Sequence, residues 1–375
     1  MQTFQGRLDA VGGFGPGYDL VRLVLCYEVV VWHCIALTAG DVSGGLQSPF
    51  WLPFTLMVPM FFTLSGFLVT ASAMRLPWRD YMLNRAARIL PALFAVVLFA
   101  MLVAGPIATS LPLADYFSDR RFWHYGTNLL ALPYHQLPGV FEANPYPGAV
   151  NGSLWTVRWE IGCYIMMAIM ALWGIARRPW VVPLLALIWA AANIVVVNIG
   201  LPAMPRAAGV VTGQVFSAGG LLFPYFLGGA SIYLFRDRIP YHGGLAAACL
   251  LLIAAVSVLL DGQQLQKDPV LLLVMIAPSA YLVSWAGLQK LAVPAPYRGG
   301  DYSYGVYLWH MPVLQLIQHF ARIEQWWLLL LVGFLPVTLL AAASWHVIES
   351  PVLAARRQQT RSKHAASTQP NQATP

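Results

Sequence analysis

The sequence predicts an all-α fold, a polytopic transmembrane helical bundle of about ten helices with both termini in the cytosol. Three observations carry that expectation. First, 58% of the 375 residues are hydrophobic and only 10% are Asp, Glu, Lys or Arg, against roughly 25% charged residues in an average soluble domain. So few charges do not cover a water-soluble surface. Second, apolar stretches near the ~20 residues needed to cross a bilayer recur through almost the whole chain. Third, with the N-terminus inside, fifteen Lys and Arg fall on the cytosolic side and five outside, while Arg22 and Arg158 lie within spans. That asymmetry is the positive-inside signature of cytosolic termini.

In order, the predicted spans are 20–39, 50–73, 89–107, 153–175, 180–199, 215–235, 242–260, 269–288, 301–320 and 326–347. Glu28 interrupts the first apolar stretch and no small-residue cleavage site follows it. It is therefore expected to remain as a helix rather than leave as a signal peptide. Residues 108–152 form the longest connection and carry Asp115, His124, His135 and Asn144 among aromatics and prolines. A connection this long is more often functional than passive, and it is expected on the outer side, partly re-entrant or helical. Residues 1–353 read as one membrane-embedded domain, without a soluble catalytic domain or an internal repeat. Residues 354–375, rich in Arg, Gln, Ser, Thr and Pro, read as a disordered cytosolic tail.

The formal charge of +7 comes from small basic groups between apolar segments, so it points to membrane topology and not to nucleic acid. Cys26, Cys34, Cys163 and Cys249 all lie in apolar stretches with neither CxxC nor metal spacing. They read as buried filler, and no metal or tightly bound cofactor is expected.

Charges inside the predicted spans need a reason, since each costs about 2.5–3.5 kcal/mol at a helix centre on insertion scales. Arg22 and His33 lie eleven steps apart in the first span, which brings them to within about 20° of one direction, about 16 Å apart along the axis. They share a face. Glu28 points away from it and reads as a salt bridge or a packing contact. Glu160 enters the fourth span from the outer side at about the depth of His33, as either a carboxylate orienting the imidazole for proton transfer or a structural hydrogen-bonded pair. In the ninth span Tyr304, Tyr307 and His310 form one stripe, polar tips toward substrate or ordinary packing. Arg85 and Arg88, three apart at the cytosolic surface, suit bidentate contacts with phosphate oxygens, or anchor the helix by charge alone.

Taken together these residues resemble acyltransferase family 3, membrane acyltransferases that modify surface polysaccharides and other glycosylated molecules. The landmarks are Arg22 and His33, the run Phe61-Phe62-Thr63-Leu64-Ser65-Gly66-Phe67-Leu68, the Arg85, Arg88, Ile89, Pro91 group, and Ser153-Leu154-Trp155 leading to Glu160 and Tyr164. Tyr302 to Pro312 and Glu349-Ser350-Pro351 complete them. In order, they span residues 19 to 351. Two features depart from the family pattern. Where members often have Trp-Ser-Leu before the glutamate, this chain has Trp155-Thr156-Val157, so only Trp155 carries over cleanly. Some members also carry a C-terminal hydrolase-like domain, which is not expected after Pro351.

The resemblance implies transfer of an acyl group, usually acetyl, from cytosolic acyl-CoA to a hydroxyl of a saccharide or lipid-linked glycan, within the cytoplasmic membrane. It implies His33 as the catalytic residue and Arg22, Arg85 and Arg88 as functionally important arginines, here read as facing the acyl donor. Glu160 is expected as His33's catalytic partner, and Ser65, Trp155, Tyr307 and His310 as substrate-binding or supporting residues. His33 then acts as general base on the acceptor, or the acyl group passes through a covalent intermediate on His33 or Ser65. Ser65 alternatively serves helix packing with Gly66. A secondary transporter using His, Glu and Arg as a proton relay is the reading from another class.

Overall fold

A chain that is apolar over most of its length must satisfy its backbone within each segment when lipid is the solvent, and helices are one of the two ways to do so. The computed structural model describes residues 1–47, 49–199, 219–265 and 268–368, and among them it is helical without a strand. The main helices are α1 (Tyr18–Ala39), α2 (Trp51–Arg75), α3 (Trp78–Ala108), α4 (Val157–Leu172) and α5 (Val181–Ile199). They continue with α6 (Leu222–Leu234), α7 (Gly243–Leu259), α8 (Pro269–Gly287), α9 (Ser303–Ala321) and α10 (Trp326–Ala343).

Among the described residues, five stretches have the length and apolarity to cross a membrane: α1, α2, α3, α8 and the run Trp326–Thr360 that contains α10. Helices α4, α6 and α7 fall within other predicted spans but are shorter, and α9 is longer but carries His310, Gln315 and Gln318. Residues 200–218, which hold the start of the predicted span 215–235, lie outside the described residues.

Helix α2 is central and packs on α1, α4, α6 and α8. Its closest approach is to α6, where a Cβ on Gly66 would strike the Phe226 carbonyl and one on Gly229 the Thr63 carbonyl. Only the absence of both side chains lets the backbones come this near, the usual logic of small residues at helix crossings in lipid. Helix α9 packs on α1 and α10, so the two histidine-bearing helices are neighbours.

Helix α3 passes through a π turn at Ala100–Ala104. A π turn displaces the regular backbone pattern, and the Tyr116 hydroxyl, from the following connection, donates to the Met101 carbonyl at 2.8 Å. The connection 108–152 is partly helical, with Leu113–Ser118 and Arg120–Tyr125. Buried side chains stitch it to α9: Asn144 Nδ2 donates to Gln315 Oε1 at 2.7 Å, Gln315 Nε2 to the carbonyls of Tyr146 and Ala149, and Asn151 Nδ2 to the Leu308 carbonyl at 2.9 Å.

Where disorder was expected from residue 354, the described part of the tail lies in a helix, Ser350–Thr368. Arg356 ties that helix to α3 through Asp80 and, at 3.0 Å, Asn84 Oδ1. The low apolar content of the segment hid this polar docking. Residues 369–375 lie outside the described residues.

Candidate active site

Three cavities follow one another through the bundle. The first, about 1010 Å³, is basic and lined by Arg22, Arg75, Arg85, Arg88, Arg298 and Arg356 among others. It shares Arg22, Arg85 and Arg88 with a narrow cavity of about 140 Å³ walled by Ser65, Glu160, Tyr164 and Tyr307. That one in turn shares Val58 and Tyr307 with a third, about 440 Å³, at His33, where Trp32, Trp155, Tyr146 and Tyr225 supply aromatic surface. Helix α1 contributes Arg22 to the first two and His33 to the third, as their common face predicts.

At the arginine end Asp301, in the loop ahead of α9, is the hub. Its Oδ2 accepts from Arg88 Nη2 at 2.6 Å and from Arg22 Nη1 at 3.3 Å, and Arg22 Nη1 also reaches Asp19 Oδ1 at 3.1 Å. Two guanidiniums thus neutralise one carboxylate that burial alone would penalise. Arg88 also donates to Glu349 Oε2 at 3.1 Å, and Glu349 is 1% exposed. Arg85 differs. It has no carboxylate partner among the described residues, its Nε is buried without a hydrogen bond, and its guanidinium sits over the Tyr164 ring, 5.7 Å from the centroid.

In the middle, Glu160 Oε1 accepts from the Tyr164 hydroxyl at 2.5 Å, one turn along α4, and Ser65 Oγ reaches that same hydroxyl at 3.5 Å. Tyr307, on α9, exchanges a 2.8 Å hydrogen bond with Thr156 and donates to the Ser153 carbonyl at 3.1 Å. Its ring is thereby fixed in the wall between the narrow cavity and the one at His33.

At the far end His33 Nδ1 lies 2.9 Å from the Val29 carbonyl and 3.2 Å from His310 Nε2. His310 is fully buried, and its Nδ1 lies 3.1 Å from the Val306 carbonyl.

The acyltransferase domain family matches residues 16–346. This chain belongs to acyltransferase family 3. Similar proteins include nodulation protein 10 of Rhizobium leguminosarum bv. viciae, 28% identical over 359 aligned positions that cover 92% of this chain and 95% of that protein. An O-acetyl transferase of Shigella phage Sf6 is 30% identical over 158 residues, 40% of this chain and 44% of the relative. A Bacillus subtilis protein, YrhL, whose name proposes a peptidoglycan O-acetyltransferase, is 24% identical over 385 aligned positions, 90% of this chain and 54% of its own. No solved structure matches the chain.

As a family 3 acyltransferase the chain brings most of the sequence-predicted residues to one chain of cavities. Arg22, Arg85, Arg88, Ser65, Glu160 and Tyr307 line the narrow one, and His33 and Trp155 the aromatic one. One expected pairing is corrected: His33 meets His310, whereas Glu160 turns to Tyr164, with no bond between His33 and Glu160 among the described residues. Equal depth in the membrane fixes only one coordinate, and helix rotation set the partners. The reading of Ser65-Gly66 also divides, for Gly66 makes the helix crossing while Ser65 faces the cavity. Glu28 is half-buried and forms no ion pair among the described residues, and Cys26, Cys34 and Cys163 are buried free thiols. Sequence reasoning missed Asp301 entirely. Its only signal was an acidic residue directly before the Tyr302–Pro312 run.

Proposed function

We propose that this acyltransferase is an integral O-acyltransferase of the cytoplasmic membrane. It crosses ten times with cytosolic termini and moves an acyl group, acetyl in the first instance, from acyl-CoA to a hydroxyl of a saccharide or lipid-linked glycan. One observation carries the reading: a cavity rich in arginine and a cavity with a histidine share walls with the same narrow passage. The first suits the phosphates of a nucleotide-bearing donor. The aromatic walls of the other suit the apolar faces of a sugar ring, and the passage suits a slender acyl-bearing arm. The names of the phage and Bacillus relatives support O-acetyl transfer.

In this mechanism the imidazole of His33 takes the proton of the acceptor hydroxyl as its oxygen attacks the thioester carbonyl. The carbon–sulfur bond then breaks, and the departing thiolate recovers the proton from His33. Positioned proton transfer of this kind contributes roughly 10²–10⁴-fold. Holding donor and acceptor against one another across the passage supplies a further large share.

Purified protein given acetyl-CoA and a surface-glycan fraction is expected to release free thiol and leave acetylated glycan, detected by mass spectrometry. Uptake of solutes into vesicles without thiol release would instead favour the transporter reading. Cysteines placed at Ser118 and Ser362 should label from opposite sides of the membrane, and labelling from the same side would overturn the topology.

A further inference from the structure

The protons on the two facing histidines can be assigned from what surrounds them. Carbonyl oxygens only accept, so the 2.9 Å contact to Val29 requires a proton on His33 Nδ1, and the 3.1 Å contact to Val306 requires one on His310 Nδ1. A neutral His310 then has an unprotonated Nε2, and that atom lies 3.2 Å from His33 Nδ1. The one proton on His33 Nδ1 is then shared between two acceptors, the Val29 carbonyl and His310 Nε2. What remains is His33 Nε2, unprotonated, with no hydrogen-bond partner among the described residues, on a ring that lines the aromatic cavity.

We propose that His310 is the positioning residue of this site. Its Nε2 accepts from His33 Nδ1–H, which holds the His33 ring with Nε2 as the basic nitrogen, and it stabilises the imidazolium that forms when Nε2 takes the acceptor's proton. The inference rests on the reading of His33 as general base. The Val29 carbonyl alone does this work poorly, because it belongs to the same helix turn as His33 and also serves the backbone of that turn. His310 approaches from a different helix, with the ring centroids 4.8 Å apart and the planes at 57°. Once His33 is charged, its bond to His310 becomes charge-assisted and therefore stronger. The complete burial of His310 keeps water from competing for that bond. Among the described residues no carboxylate takes this place, and Glu160 is bonded to Tyr164 in the neighbouring cavity. The neutral partner avoids placing another charge in an apolar setting.

The test compares His310→Leu, which fills space but accepts nothing, with His310→Gln, whose amide oxygen can accept from His33, after thermal melting confirms that each is folded. The leucine variant is expected to lose on the order of 100-fold in kcat with its KM for acetyl-CoA unchanged, and the glutamine variant to recover most of that loss. A folded His310→Leu protein with wild-type kcat would overturn the inference, as would a glutamine variant no better than leucine. Nitrogen NMR of ring-labelled wild-type protein gives a reading that needs no variant: His33 should carry its proton on Nδ1, and a proton on Nε2 would overturn the assignment. His33→Ala separates this inference from the reading beneath it. If His33→Ala is inactive while folded His310→Leu is fully active, the positioning role fails alone; if His33→Ala is active, the general-base reading fails first.

Discussion

At one end of the cavity chain, Arg22 and Arg88 converge on Asp301, and Arg88 reaches on to a buried Glu349. At the other, two histidine rings meet, each beside a backbone carbonyl of its own helix, with no ion pair among the described residues. The same problem, polar groups within a lipid-facing bundle, is solved by mutual neutralisation in one place and by matched donors and acceptors in the other. The difference teaches that an arginine's presence in a cavity does not make its charge available. Both Arg85 and Arg88 face the basic and the narrow cavity, but Arg88 is committed to two carboxylates, whereas Arg85, three residues earlier, forms no salt bridge among the described residues. The pair that looks equivalent in sequence therefore differs in its ion pairing, which makes Arg85 the better candidate for donor binding in the proposed reaction.

Replacing each arginine in turn sharpens that contrast. Arg88→Ala should have the largest effect and should act on stability, because it strands Glu349 and leaves Asp301 with Arg22 alone. Breaking a buried pair typically costs about 3–5 kcal/mol, so the melting temperature should drop markedly and expression with it. Arg85→Ala should melt near wild type yet bind acetyl-CoA more weakly. Loss of hydrogen bonds to a charged group is worth about 1.5–3 kcal/mol, roughly a 10–150-fold change in affinity by titration. Arg85→Lys should fall between alanine and wild type, keeping the charge and losing the two-pronged geometry. Equal melting and equal donor affinity across the Arg88 and Arg85 variants would erase the distinction between the two.

The fold was legible where the solvent dictates it. Long apolar runs gave helices α1, α2 and α8 to within a few residues, because lipid leaves a peptide backbone few alternatives. It was less legible where local polarity and tertiary contact decide. The π turn in α3 and its Tyr116 contact leave no composition signal, and the helical tail depends on Arg356 meeting Asp80 and Asn84 on a distant segment. In the site, spacing along one helix was reliable: Arg22 and His33 do line connected cavities from a common face. Partnership between helices was not, since His33 and His310 lie 277 positions apart and meet only through the packing of α9 on α1. Asp301 was invisible for a related reason. It sits in a loop, where no periodicity assigns a direction, and its importance comes from two arginines delivered by other helices.

The most direct test of the account is acyl transfer by purified His33→Ala protein, with folding checked by melting and donor binding measured separately. A folded variant that binds acetyl-CoA as the wild type does but transfers at a rate reduced by roughly 10²–10⁴-fold is the expected result. A folded His33→Ala protein that acetylates the glycan fraction at the wild-type rate would contradict it.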